Sequence, residues 1–228
     1  MDFRDRHVVV TGGTGALGSA VVAALIADGA ICHVPHRADE KTSPSDARLK
    51  FYAGLDLSDE AAVEHLFASA GTPWASIHIA GGYAGAPVAE TSAADLARQM
   101  DMNFTTCFLC CRAAVRIMAK TGGGRIVNVA ARPALEWRSG AGMAVYTASK
   151  AAVAAFTTAL AEEVAKQGIL VNAVAPSIMD TPANRKAMPK ANFDNWPKVD
   201  EVAATIVFLA SPENKVTRGA IVPVYGRA

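Results

Sequence analysis

Blocks of one charge are missing from this sequence: 22 lysines and arginines meet 21 aspartates and glutamates, the signs alternate, and the net charge is +1. A nucleic acid or an anionic membrane held by bulk electrostatics is therefore not an expected partner. Long apolar runs are missing too. The longest helical apolar stretch, residues 145–164, contains Lys150, Glu162 and Glu163 and is mostly alanine and threonine, too weak for a bilayer span. Residues 1–6 carry two aspartates and two arginines around Phe3, which predicts neither a signal nor a transit peptide. A soluble, cytoplasmic protein is expected. Cysteine is scarce: Cys32 stands alone, and Cys107, Cys110 and Cys111 are bunched at a spacing that fits neither a disulfide framework nor a paired Cys-x-x-Cys metal site. A reduced compartment and buried packing roles follow. His33, His65 and His78 lack nearby carboxylates, so structural roles and no metal site are expected of them.

What is present is core-forming material. Over 228 residues, 51% are hydrophobic and 19% charged, far from the balance of disordered chains, and no linker, repeat or low-complexity tract divides them. One domain over 1–228 is expected, against a prior of about 150 residues per domain. Short runs rich in valine and isoleucine predict strands at 7–11, 31–34, 51–53, 77–80, 125–130, 169–174 and 220–224. Between them, amphipathic spacing predicts helices at 16–28, from Ser58 onward, over 92–120 with a Ser92-x-x-Asp95 start, at 145–166 and at 201–209. Alternating strands and helices give an α/β fold: a doubly wound (Rossmann) parallel sheet of roughly seven strands with helices on both faces. Such sheets bind ligands at the carboxyl ends of their strands, so the loops after Val10, Ile79, Val129 and Val174 should converge on one site.

The first of those loops reads Thr11-Gly12-Gly13-Thr14-Gly15-Ala16-Leu17-Gly18, and Gly13 to Gly18 satisfies G-x-G-x-x-G between a strand and a helix. Gly13 and Gly15 allow a tight turn and close approach to a pyrophosphate, Gly18 allows close helix–strand packing, and the helix amino terminus offers free N–H groups to the anion. A dinucleotide is the expected ligand. The second strand leads into His36 and Arg37, where an acidic residue would hold an adenine-ribose 2'-hydroxyl. A guanidinium suits a 2'-phosphate, so NADP(H) is the expected cofactor and NAD(H) the second candidate.

Tyr146 and Lys150 stand at i, i+4 near the start of a helix, which sets phenol and ammonium on one face. The cation should lower the phenol pKa and make Tyr146 a proton donor or acceptor near neutral pH. With these residues the whole chain resembles the short-chain dehydrogenase/reductase family in its compact form. The motifs that carry the resemblance are Thr11 to Gly18, Asp56-Leu57, Ala80-Gly81, Asn103, Tyr146 with Lys150, Asn172 to Pro176, and Thr181-Pro182.

The resemblance implies an oxidoreductase that passes hydride between a nicotinamide cofactor and a carbonyl or imine-like small molecule beside Tyr146. It implies cofactor contacts from the Gly12–Gly18 turn, from Asp56 and Leu57 at the adenine, and from Ala80, Gly81 and Gly82 at the ribose and phosphates. Lys150 would bond the nicotinamide ribose, Asn103 would hold a water of the proton relay, Met179 with Thr181 would seat the carboxamide, and Pro176 would be a further cofactor contact. The chain departs from the family at Ala131, where the catalytic serine would align, and a donor aimed at an oxyanion is worth about 3 kcal/mol. Arg132 and Ser139 are candidate replacements. Further departures are His78-Ile79 before Ala80, Ser177 after Pro176, and a short substrate loop over 183–197.

The segments 80–85 and 180–189, with Phe193 and Trp196, resemble dihydropteridine reductases, which also lack the serine; reducing a quinonoid imine builds no alkoxide. A quinonoid pterin is therefore an alternative substrate. From another class, the alternative is a catalytically idle dinucleotide-binding sensor or assembly subunit, against which the joint presence of Tyr146, Lys150 and Asn103 argues. Trp74, Trp137 and Trp196 read as packing or interface anchors, with Trp137 overhanging the nicotinamide. The predicted helices around Phe104, Cys107, Phe108, Phe156 and Ala159 carry more apolar surface than one sheet face covers, so a homo-oligomer is expected, and the family resemblance implies a tetramer, with a dimer the alternative.

Overall fold

The computed structural model describes residues 1–37 and 46–227. Seven strands form one parallel sheet in the order β3-β2-β1-β4-β5-β6-β7. They are β1 (His7–Thr11), β2 (Ile31–His36), β3 (Leu49–Ala53), β4 (Ala75–His78), β5 (Gly124–Val129), β6 (Ile169–Pro176) and β7 (Ile221–Val224). Order reverses between β1 and β4, which opens a crevice at their carboxyl ends.

Period-two alternation decides the two cores. On β1, Val9 joins the cluster under α2 (Glu60–Ala70), α4 (Thr106–Met118) and α5 (Ala144–Glu163). Its neighbours Val8 and Val10 face the other way, toward α1 (Ala16–Ala27) and α7 (Val199–Ala210). Ile126 and Val127 on β5 split in the same manner. A sheet covered on both faces needs apolar residues at every position, which is why these strands read as continuous hydrophobic runs. The expected fold class is the observed one.

Several boundaries differ from the sequence reading, each for a tertiary reason. β2 continues to His36 because β3 pairs with it through Pro35 and His36, while its ladder to β1 ends at His33, so the missing proline N–H costs nothing on that side. β4 stops at His78: beyond it the Ile79 and Ala80 N–H groups turn back to donate to Thr11 O and Thr11 Oγ1. The helix expected to open at Ser58 is capped by Asp59, which accepts from Ala61 N, while Ser58 bonds Asp56. The segment expected as one helix over 92–120 is two: α3 (Ala93–Met100) and α4, joined by a π-helical turn at Asp101–Thr105. Its start is as expected, a reciprocal capping box between Ser92 and Asp95. The remaining helix, α6 (Pro182–Ala187), lies in the substrate loop.

Candidate active site

The β1–α1 turn is built for close approach. Gly12 has φ +68°, and a Cβ there would lie 2.7 Å from Ala80 N; one on Gly18 would lie 2.0 Å from Gly12 O. Only glycine fits either place. No side chain caps α1 and no acidic residue stands in its first turn, so the orphan N–H groups of that turn remain for an anion. Thr14 and Gly15 are exposed at the tip, and Gly13 packs on Val34. The Leu17 side chain is buried in the α1 core, so its backbone is the part that can face a cofactor. The cradle fits a dinucleotide pyrophosphate.

At the end of β2 the structure separates two expected contacts. Arg37 is exposed, whereas His36 is buried edge-on against Phe51, with Nδ1 2.8 Å from Arg37 O. His36 thus supports the Arg37 backbone, and of these two side chains the guanidinium is the exposed one. After β3, Asp56 accepts from Ser58 N and Oγ, which holds its carboxyl below the usual carboxylate range, and Leu57 packs onto the core.

The turn is continuous with the residues expected to be catalytic. Gly12 abuts Ala80, and a Cβ on the next residue, Gly81, would stand 2.5 Å from Asn103 Oδ1 and 3.4 Å from Lys150 Nζ. Asn103 lies buried in the π-helical turn, a widening that often marks functional sites. Its Oδ1 accepts from Gly82 N at 3.0 Å, and its Nδ2 donates to Gly82 O at 3.1 Å and Ser149 Oγ at 3.0 Å. Ser149 in turn donates to Tyr146 O. Both amide donors of Asn103 are therefore spent on protein. The amide clamps the Gly82 loop to the Tyr146 helix, so a water held by Asn103 would have to be bound by its backbone.

Lys150 is buried, and its Nζ donates to Val129 O at 2.8 Å. Loss of hydration lowers its pKa to about 8. Tyr146 is half-buried, and desolvation first, then the neighbouring Tyr83, push its phenol up to about 12. The expected lowering of the phenol by Lys150 is therefore not observed, because burial dominates at Tyr146 and the ammonium is turned to the end of β5. A phenol held protonated at neutral pH is a proton donor in readiness.

Sequence reasoning missed three residues here. Gln99 donates to Gly82 O and Ser149 links Asn103 to Tyr146, yet neither carries a signal beyond its helical position. Tyr83 is 64% exposed and stands edge-on to Tyr146, ring centroids 5.0 Å apart. An exposed aromatic between Gly82 and Gly85 was the available signal.

Ala131 is buried at the head of the 3-10 turn Arg132–Ala134, where the loop leaves β5. The two candidate replacements are engaged elsewhere: Arg132 bonds Glu136 and lies over the Tyr225 ring, and Ser139 donates to Glu136 O. Past β6, Met179 O accepts from Asn184 Nδ2, and Thr181 Oγ1 caps α6 through Asn184 N. Pro176 closes β6, and Met179 and Thr181 follow it in a segment held by α6. Trp74 and Trp196 are packing residues, the former between Arg6 and Arg125, whereas Trp137 is 74% exposed over a cavity of about 510 Å³ on the α5 face. A larger cavity, about 870 Å³, is lined by Asp180, Arg185, Trp196 and Tyr225 and includes neither Tyr146 nor Lys150.

Comparison with known proteins gives these features a context. The family described as short chain dehydrogenase matches residues 6–192. A galactitol 2-dehydrogenase of Rhizobium johnstonii is 34% identical, with 96% of this chain and 93% of that protein covered. A 2-dehydro-3-deoxy-L-rhamnonate dehydrogenase (NAD(+)) of a Sphingomonas species is 31% identical over 94% and 92%. Among solved structures, ElxO with NADP bound superimposes with a TM-score of 0.88 at 25% identity, covering 96% of this chain and 97% of that one.

Proposed function

Because the chain belongs to the short-chain dehydrogenase family, whose oxidoreductases pass hydride between a nicotinamide cofactor and a small molecule, we propose that it reduces a carbonyl or imine-like substrate with NADP(H), Tyr146 giving the proton. The observation that carries the assignment of roles is the unbroken run from the Gly12 turn through Gly81 and Asn103 to Lys150 and Tyr146. When bound, the nicotinamide supplies the hydride. The protein's own work is to hold and to protonate. The α1 amino terminus takes the pyrophosphate, with Asp56 and Leu57 at the adenine, Met179 and Thr181 at the carboxamide and Pro176 as a further cofactor contact. Lys150 places a positive charge beside the ribose, and the Asn103 clamp fixes the Gly82 loop. The Tyr146 phenol then donates to the atom that gains charge. The quinonoid-pterin and idle-subunit readings have no support over this one.

Arg37 is the basis for the cofactor preference. Arg37→Ala should weaken NADPH binding by about 10–100-fold and leave NADH nearly unchanged, since one charge-assisted contact is worth about 1.5–3 kcal/mol. Dissociation constants measured by fluorescence titration decide it, and an unchanged ratio rejects the 2'-phosphate role.

Ala131 limits the chemistry. Ala131→Ser should raise simple-ketone reduction relative to an imine-type acceptor by about tenfold, because only the ketone develops an oxyanion. The ratio of kcat/KM values is the readout, and no change in it means that another group already serves the oxyanion.

No helix among the described residues is long and apolar enough to cross a membrane, and we read the protein as cytoplasmic. Phe104 and Phe108 pack edge-on against Phe156, and Phe108 and Trp137 are left exposed on the α4–α5 side. That surface supports a homotetramer assembled through these helices. Light scattering at micromolar concentration should report four chains, and a monomer mass counts against it.

A further inference from the structure

The sheet brings together three side chains that the reaction does not use. His78 ends β4, and Cys107 and Cys111 stand one turn apart on the overlying face of α4. All three are buried, and one sulfur or nitrogen atom from each lies within 4.8 Å of the other two. Cys111 Sγ is 3.3 Å from His78 Nδ1. A tetrahedral zinc centre, with bonds of about 2.3 Å to sulfur and about 2.0 Å to nitrogen, spaces its donor atoms about 3.5–3.8 Å apart. The three donors thus already lie within about 1 Å of the spacing a zinc ion imposes.

We propose that His78, Cys107 and Cys111 form a buried zinc site, with Asn128 Oδ1 at the fourth position. Asn128 Oδ1 lies 2.8 Å from His78 Nδ1 and 3.4 Å from Cys111 Sγ, and its amide is held in that orientation by donation to Thr157 Oγ1. The other face of the imidazole is also supported, since Nε2 is 2.7 Å from Ser76 Oγ. Such outer partners fix the tautomer and ring plane of metal-bound histidines. On binding, two thiols release two protons, and the imidazole keeps one proton, now on Nε2 and donated to Ser76. Two thiolates and one Zn2+ sum to zero charge. A divalent ion therefore suits this dry position, whereas a monovalent one would leave a net charge buried beside the sheet. Burial also means that the ion enters as the chain folds.

The test produces the full chain with zinc in the medium and measures metal by elemental mass spectrometry. It then refolds the chain anaerobically with Cd2+ and records the ultraviolet cadmium–thiolate band. About one ion per chain and a two-thiolate band are expected. Both should be retained in Cys32→Ala and Cys110→Ala and lost in Cys107→Ser/Cys111→Ser, with circular dichroism confirming the fold of each variant. Wild-type protein that holds no stoichiometric metal overturns the proposal, whatever the folding of the double variant. So does a cadmium band that survives the double substitution.

Discussion

Tyr146→Phe lowers the turnover number by about 10²–10⁴-fold, the usual worth of a positioned acid or base, and shifts the NADPH dissociation constant by less than about twofold. The reasoning rests on what the substitution removes. The ring keeps its edge-on contact with Tyr83, and Ser149 still donates to the backbone oxygen of residue 146, so the helix start and the Gly82 clamp persist. Only the hydroxyl is lost. With its pKa near 12, that hydroxyl is protonated throughout the working range and acts as donor. Full activity in the variant would show that the proton comes from water.

Lys150→Ala harms more than one property. The Val129 carbonyl loses its partner, which costs about 1–3 kcal/mol of stability in urea denaturation if the oxygen stays dry. Cofactor affinity and turnover fall together, with kcat/KM lower by about 10²–10³-fold, because the positive charge proposed to stand beside the ribose is gone. The pH profile separates this role from simple packing. Burial lowers Lys150 to about 8, so the ammonium is present below that pH and lost as pH rises through it. Wild-type activity should therefore decline above about pH 8. Tyr146, titrating near 12, cannot produce that limb. In the alanine variant the limb disappears.

The contrast between Lys150 and Tyr146 shows where sequence reasoning reaches and where it stops. Spacing of i, i+4 correctly placed both residues near the start of one helix, but the sign of the phenol shift depended on burial and on the β5 carbonyl that takes the ammonium. Neither is local. The β1–α1 turn was legible because its glycine pattern stands between a strand and a helix; Gly18 is crowded by Gly12 in the same loop, whereas the backbone that crowds Gly12, at Ile79 and Ala80, comes from a distant part of the chain. The π-helical turn at Asp101–Thr105 was not, since one extra residue hardly disturbs a helical apolar pattern. Leu17 sits in a phosphate-binding motif yet packs into the core, a choice made by α1 docking on the sheet. His78 and Cys111, 33 residues apart, meet only because α4 crosses over β4. Their spacing in the chain carries no sign of it.

Hydride transfer itself is tested most directly with NADPH carrying deuterium at the transferable position of its nicotinamide ring. The purified protein is incubated with this cofactor and a panel of ketones and imine-type acceptors, and the products are weighed by mass spectrometry. The account predicts one deuterium on the carbon that gains hydrogen, with one cofactor oxidised for each product formed, and a sharply lower rate with Tyr146→Phe. Substrate consumed without deuterium in the product, or cofactor bound but never oxidised across the panel, would contradict it.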